Sequence, residues 1–418
     1  MNSTVNLTRP VRRWPVRLFN GVASRRPSFA VRLDLNADEL MDRARRHARL
    51  ENFGGDEFIA PFRLLVDDIN VSANLTAFGR FAWKGMLHTL LCNRLFVEAR
   101  YDGDQDLENH PVAAPVFILG FPRTGSTFLH KLLACDPAAR YLSLAESMRA
   151  QHDPRRRATP HWLERANARW GLTLLNYLAP GFDTIHAEPV DGPAECGGLL
   201  LHSFQTVAFL PSLNVPRYAA WLDQCDFSAA ALYHRRQLRI LDRRRPAGHW
   251  LLKSPAHLPM IDALIKVYPG AKFIFLHRDP VRVVSSFSSL VALTQGIYSD
   301  TVSGGRVGAE TSRILHGLLS RALQARANWP SSHFIDVQYA DLIRDPTGTV
   351  AHIYEGLGFS TSASMKAAVE QLVAAAAGGK HTRHRYEVAQ FGLDVDQLRQ
   401  QFQSYSRQFG VVEEPTPL

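Results

Sequence analysis

Three segments of this sequence carry side chains whose types and spacing could do chemistry. The first is Gly120-Phe-Pro-Arg123-Thr124-Gly125-Ser126-Thr127, a turn between a short apolar run and a helical pattern. Main-chain N–H groups at a helix N-terminus cradle anions, and glycine lets the backbone come close to the ligand. The spacing approaches that of a phosphate-binding P-loop, but Ser126 stands at the lysine position and the positive charge sits three residues earlier, at Arg123. Such a loop grips an anion without the lysine that serves a β/γ-polyphosphate. The second segment is Lys272–Leu290, where Arg278 leaves a predicted strand, Asp279 and Pro280 open a helix, and Ser286 lies two turns in. Arg278 either pairs with Asp279 or holds a second anionic group of one ligand. The third is Trp250–Leu258, whose Lys253 ends a strand in a chain with seven lysines against 41 arginines.

The elements that must position these groups are legible from periodicity. Apolar runs at Val116–Gly120, Trp250–Leu252, Phe273–His277 and Phe334–Val337 are each followed by a helix-compatible segment, the pattern of parallel strands buried under helices. Ligands of such sheets bind at the carboxyl ends of the strands, where the Gly120–Thr127 turn, Lys253 and Arg278 all fall. The intervening stretches, about 140–245 and 281–330, read as helical insertions. From Ala37 to about Arg100 the spacing is helical, with Asn36 and Glu39 as a start signal. The expected architecture is α/β, a P-loop-like three-layer fold with a central parallel sheet and large helical insertions. Residues 1–33 form a basic N-terminal arm, 34–111 a helical region packed on the core, and 112–418 the α/β domain.

Composition narrows the function classes. The 418 residues carry a formal charge of +9, but the first 33 hold seven arginines and no Asp or Glu, so the body is nearly balanced. A nucleic-acid-binding body would show its charge throughout, and none is expected as a partner. Trp14, Leu18 and Phe19 among the arm's arginines make peripheral contact with an anionic membrane surface conceivable. Cys92, Cys135, Cys196 and Cys225 form no close pair, and the histidines show no metal-ligand spacing, so neither a disulfide scaffold nor a metal site is expected. The N-terminus has no secretory apolar stretch, which points to a cytoplasmic protein.

In combination these motifs resemble those of sulfotransferases that use 3′-phosphoadenosine 5′-phosphosulfate (PAPS), especially bacterial members similar to tyrosylprotein sulfotransferases. Pro122–Thr127 matches the family's 5′-phosphosulfate loop, and Arg278 with Ser286 matches its 3′-phosphate motif. Trp250–Leu258, Tyr339–Pro346 and Lys380–Leu393 match more weakly, and the resemblance covers roughly residues 38–395.

The resemblance implies transfer of the sulfuryl group from PAPS to a hydroxyl of a small-molecule, lipid or glycoside acceptor, leaving adenosine 3′,5′-bisphosphate (PAP) and requiring no metal. It assigns the donor to Arg123, Thr124, Gly125, Ser126 and Thr127, the 3′-phosphate to Arg278 and Ser286, and a closing loop to Lys380. Lys253 would sit beside the transferred sulfonate. Glu146, in Tyr141–Met148, is the expected general base, with His186 its main rival and His130, His202 and His257 further candidates. Two other readings fit the loop: a P-loop-like small-molecule kinase, and a non-catalytic module that binds an anion or lipid.

Overall fold

A computed structural model describes residues 12–25, 33–153, 155, 161–178, 192–378 and 388–415. The N-terminal region supplies helices α1 (Trp14–Ser24), α2 (Ala37–Ala48), α3 (Ile59–Ser72) and α4 (Ala77–Asp102). Asn36 caps α2 by accepting from the Glu39 amide at 2.9 Å, as its spacing predicts. Strand β1 (Val116–Gly120) then leads into α5 (Ser126–Leu133), followed by β2 (Ala139–Arg140), α6 (Leu144–Met148) and α7 (His161–Leu178). Next come α8 (Gly197–Leu201), α9 (Pro216–Leu222), α10 (Ser228–Arg244), β3 (His249–Lys253) and α11 (Ile261–Val267). Strand β4 (Lys272–His277) precedes the long pair α12 (Pro280–Tyr298) and α13 (Gly304–Ala327). The chain closes with β5 (Phe334–Gln338), α14 (Tyr339–Arg344), α15 (Pro346–Leu357), α16 (Ala363–Gly378), α17 (Val395–Gln401) and α18 (Gln403–Phe409).

The strands form one parallel sheet in the order β2-β3-β1-β4-β5. Alternation along each strand fills two cores, one per face. Phe117, Leu119, Leu252, Phe273 and Phe275 join the core under α4, α10 and α13. Val116, Ile118, Leu251, Ile274 and Leu276 join the core shared with α5, α15 and α16. Helix, sheet and helix therefore make three layers, and β1, the central strand, delivers its loop to the middle of the sheet's carboxyl edge.

Part of the basic arm is docked rather than extended. In α1, Val16 and Ala23 are buried and Phe19 packs against Phe78 and Phe81 of α4. The Asn20 side chain accepts from the Phe78 amide at 2.9 Å, and Arg12 pairs with Asp300 at 2.8 Å.

Candidate active site

The turn after β1 is shaped by residues in the left-handed region. Arg123 has φ 70° and Gly125 has φ 83°, and a Cβ at Gly125 would lie 3.0 Å from the Tyr339 ring. Only glycine avoids both the strain and that crowding. The buried Thr124 hydroxyl donates to the Phe121 carbonyl at 2.8 Å and staples the turn. Ser126 and Thr127 then open α5, whose first amides have no intrahelical acceptor.

The fold brings the second motif onto this loop. Asp279 caps α12 as its sequence predicts, accepting from the Val281 amide at 2.9 Å. Arg123 Nε donates to Ser286 Oγ at 3.1 Å, and Arg278 donates to the Arg123 carbonyl at 2.5 Å while lying 3.8 Å over the Tyr339 ring. The carboxylate on Arg278 is that of Glu414. Both Nε and Nη2 of the guanidinium donate to it, at 2.6 and 2.8 Å, and Arg282 approaches the same group at 3.7 Å. The Glu414 amide in turn donates to Asp279 at 2.9 Å. Nothing in the sequence signals that a carboxylate near the C-terminus returns to this arginine.

Lys253 ends β3 beside the loop, 2% exposed. Its ammonium donates to Thr127 Oγ1 at 3.3 Å and pairs closely with the carboxylate of Glu195. Sequence reasoning passed over Glu195. The signal lies in the fold: the amide of Cys196 donates to the Lys253 carbonyl at 2.9 Å, which fixes Glu195 at the end of β3.

Glu146 is engaged elsewhere. Its carboxylate accepts from the Ser143 amide at 2.9 Å and from the Ser143 hydroxyl at 3.1 Å, closing a capping box on α6. It also pairs at 2.9 Å with Arg140, a buried guanidinium stacked 4.2 Å over Trp250. Burial pulls the Arg140 guanidinium down from its usual basicity, and Glu146 works against that.

The histidines at 130, 202 and 257 are buried. Burial lowers His130 to about 3 and His202 to about 4, so both are neutral. His202 bonds Asn93 and the Leu199 carbonyl, and His130 faces the Leu251 carbonyl. His186 and Lys380 lie outside the described residues.

The anion loop, Glu195, Arg278 and Ser286 open into a cavity of about 2030 Å³. Its polar end holds Arg123, Gly125–Thr127, Glu195, Arg278 and Ser286, and its opposite walls are apolar, including Leu201, Val207, Leu210, Leu290 and Leu315.

The parallel α/β sheet sets a lysine-free anion loop beside a lysine–glutamate pair, an arrangement able to hold an anionic group at the sheet's carboxyl edge. The sequence profile of the sulfotransferase family matches residues 115–363, and the chain belongs to that family. That membership speaks against the kinase reading. The chain is 28% identical over 260 residues to omega-hydroxy-beta-dihydromenaquinone-9 sulfotransferase Stf3 of Mycobacterium bovis, a match covering 58% of this chain and 62% of the relative, less than two thirds of its length. Among solved structures, sulfotransferase STF1 of Mycobacterium tuberculosis superposes with a TM-score of 0.77 at 29% identity, covering 89% of this chain and 99% of that one. STF9 of Mycobacterium avium gives 0.79 at 29% identity, covering 91% and 98%.

Proposed function

We propose that this sulfotransferase takes its sulfuryl group from PAPS and passes it to a hydroxyl at the end of a long apolar acceptor, with Glu195 as general base. The main-chain amides of Thr124–Thr127 and the Arg123 side chain hold the sulfonate end of the donor, while Arg278 and Ser286 take its 3′-phosphate. The acceptor oxygen attacks sulfur, its proton passes to the Glu195 carboxylate, and the sulfur–oxygen bond to the nucleotide breaks. Lys253 and Arg123 meet the charge that develops on the leaving oxygen. PAP leaves, and the chain's own residues supply every charge the step needs.

The observation that carries this reading is the Lys253–Glu195 pair against Thr127 of the anion loop, with Glu195 and Thr127 both lining the cavity. Glu146 is tied to Ser143 and Arg140 in the cap of α6, whereas Glu195 lines the cavity beside the anion loop, and the base is therefore assigned to Glu195. The apolar walls beyond the loop suit a hydrocarbon or isoprenoid chain, and a mycobacterial relative is named for a hydroxylated dihydromenaquinone.

A lipid acceptor also gives a use to the surface made by α1 and α7. Trp14, Leu18 and Val22 recur every fourth residue on the exposed side of α1, and Trp162, Trp170 and Leu174 are exposed on α7. Arg13 joins the helices, donating to the Tyr177 carbonyl at 3.3 Å and lying 5.2 Å over its ring. This aromatic and arginine-rich platform would rest on an anionic bilayer from which the acceptor enters.

The test pairs Glu195→Gln with two readouts: PAP binding by calorimetry, and sulfuryl transfer from labelled PAPS into a total lipid extract. Turnover is expected to fall by ~10²–10⁴, the usual worth of a general base, with PAP affinity retained. Wild-type turnover in the variant would remove Glu195 from the mechanism, and PAP binding without transfer to any acceptor would favour the non-catalytic reading.

A further inference from the structure

Directly behind the Glu195–Lys253 pair, three side chains from distant parts of the sequence meet. Cys196 precedes α8, His234 lies on α10, and His257 lies on the turn Pro255–Met260 after β3. One potential ligand atom from each falls within 4.8 Å of the others, and all three residues are 0–1% exposed. None of the proposed sulfuryl-transfer steps uses them.

Their hydrogen bonding does not close. Neither ring nitrogen of His257 has a partner, nor does Nε2 of His234. His257 meets Phe117 edge to face at 5.0 Å, and an N–H over that ring would serve one nitrogen at most. A buried lone pair or N–H without a partner costs about 1–3 kcal/mol. His234 shows the complementary feature: Nδ1 is bonded to the Tyr268 hydroxyl at 3.0 Å, which leaves Nε2 as the nitrogen facing the cluster. An outer hydrogen bond that orients the ring and fixes its tautomer is the usual support of a metal-bound imidazole.

We propose that Cys196, His234 and His257 bind a thiophilic d¹⁰ cation as a closed, structural site. On binding, the Cys196 thiol gives up its proton to solvent, a sulfur–metal bond forms, and the two imidazoles donate their free lone pairs. The charge balance favours Cu(I) over Zn(II). One thiolate neutralises a monovalent ion, whereas a divalent ion would leave a net positive charge where water does not reach. Three soft or borderline ligands also suit three-coordinate Cu(I), while structural zinc ordinarily takes four. The cation would tie the segment carrying Glu195 to the end of β3, to α10 and to the turn after Lys253. It is a brace for the two residues at the reacting end, not a participant in transfer.

The full-length chain, purified under reductant, is titrated with Cu(I) held in a chromophoric chelator and, in parallel, with Zn(II). Bound metal is counted per chain, and its shell is read by X-ray absorption. One Cu(I) per chain with one sulfur and two imidazole nitrogens is expected, together with a melting temperature that rises with free cation. Cys196→Ser and His257→Gln should each abolish stoichiometric binding. Zinc in the same shell would support the site and overturn its charge argument. Substoichiometric uptake of both metals by the wild type, or a shell without sulfur, would overturn the site itself, and neither result depends on how the variants fold.

Discussion

Glu146 and Glu195 are both acids beside a buried cation, and their partners separate their roles. Glu146 offsets Arg140, whose guanidinium is buried over Trp250. Glu146→Gln should therefore lower stability by about 3 kcal/mol, because it leaves a buried charge with a neutral partner. Turnover per folded molecule should stay near wild type; a kinetic collapse in a normally stable variant would return the base to Glu146. Glu146 was pointed to by the resemblance to the tyrosylprotein enzymes, whereas the approach of Glu195 to Lys253 depends on a main-chain contact that no local pattern encodes. The buried histidines set a second expectation. His130, lowered to about 3, and His202, lowered to about 4, bind a proton in the unfolded chain before the folded one as pH falls below the ordinary value of 6.5. The unfolded state then holds more protons, so stability rises with pH between about 4 and 6.5 and is lost on acidification. Each histidine contributes a slope of up to ~1.4 kcal/mol per pH unit. Urea melts at pH 7 and pH 5 should show the loss, and His202→Gln should reduce the difference; identical midpoints would mean that these rings are not buried neutral.

Elements were readable wherever periodicity decides. Four strands follow from apolar runs and the α12 start from Asp279-Pro280, since both are local patterns with a physical period or cap. Strand β2 was not readable: two residues, Ala139 and Arg140, carry no alternation, and their pairing with β3 is tertiary. The docking of α1 was hidden for a similar reason, because only two of its residues, Val16 and Ala23, are buried in an otherwise arginine-rich stretch. The segment after α18 is the least legible and has the clearest consequence. Its Glu414 carboxylate lies on Arg278, the cation proposed for the nucleotide's 3′-phosphate, and near Arg282. Glu414 occupies the Nε/Nη2 edge of Arg278, so under the proposed assignment a 3′-phosphate bound bidentately on that edge would displace it. Glu414→Gln should tighten PAP binding about tenfold, equivalent to ~1.4 kcal/mol, with the gain read by calorimetry. An unchanged affinity would place the 3′-phosphate away from Arg278.

For the whole molecule the informative quantity is where the charge lies. Among the described residues no helix is long and apolar enough to cross a membrane. The excess of arginine is concentrated in residues 1–33; α1 lies within that stretch, holds Arg17 and follows Arg12 and Arg13, and turns Trp14 (66% exposed) and Leu18 (59% exposed) to solvent. The same end of α1 is fixed to the far end of α12, where Arg12 donates to the Ile297 carbonyl at 3.0 Å. Leu290, Val291 and Thr294, one to two turns earlier on α12, line the apolar part of the cavity. The proposed platform is thus tied through Arg12 to the helix whose earlier turns line the apolar part of the cavity, as a lipid acceptor would require. Each arginine near an anionic surface adds about 1 kcal/mol, and inserted Trp and Leu add apolar burial. The chain should cosediment with vesicles rich in phosphatidylglycerol, weakly with phosphatidylcholine alone, and less as salt is raised. Trp14→Ser with Leu18→Ser should reduce that binding without lowering the melting temperature or PAP affinity, since neither side chain belongs to the core or the site. Equal affinity for both lipids would remove the electrostatic half of the argument. Wild-type vesicle binding by the double variant, or its loss of self-association instead, would show that this face meets another protein surface.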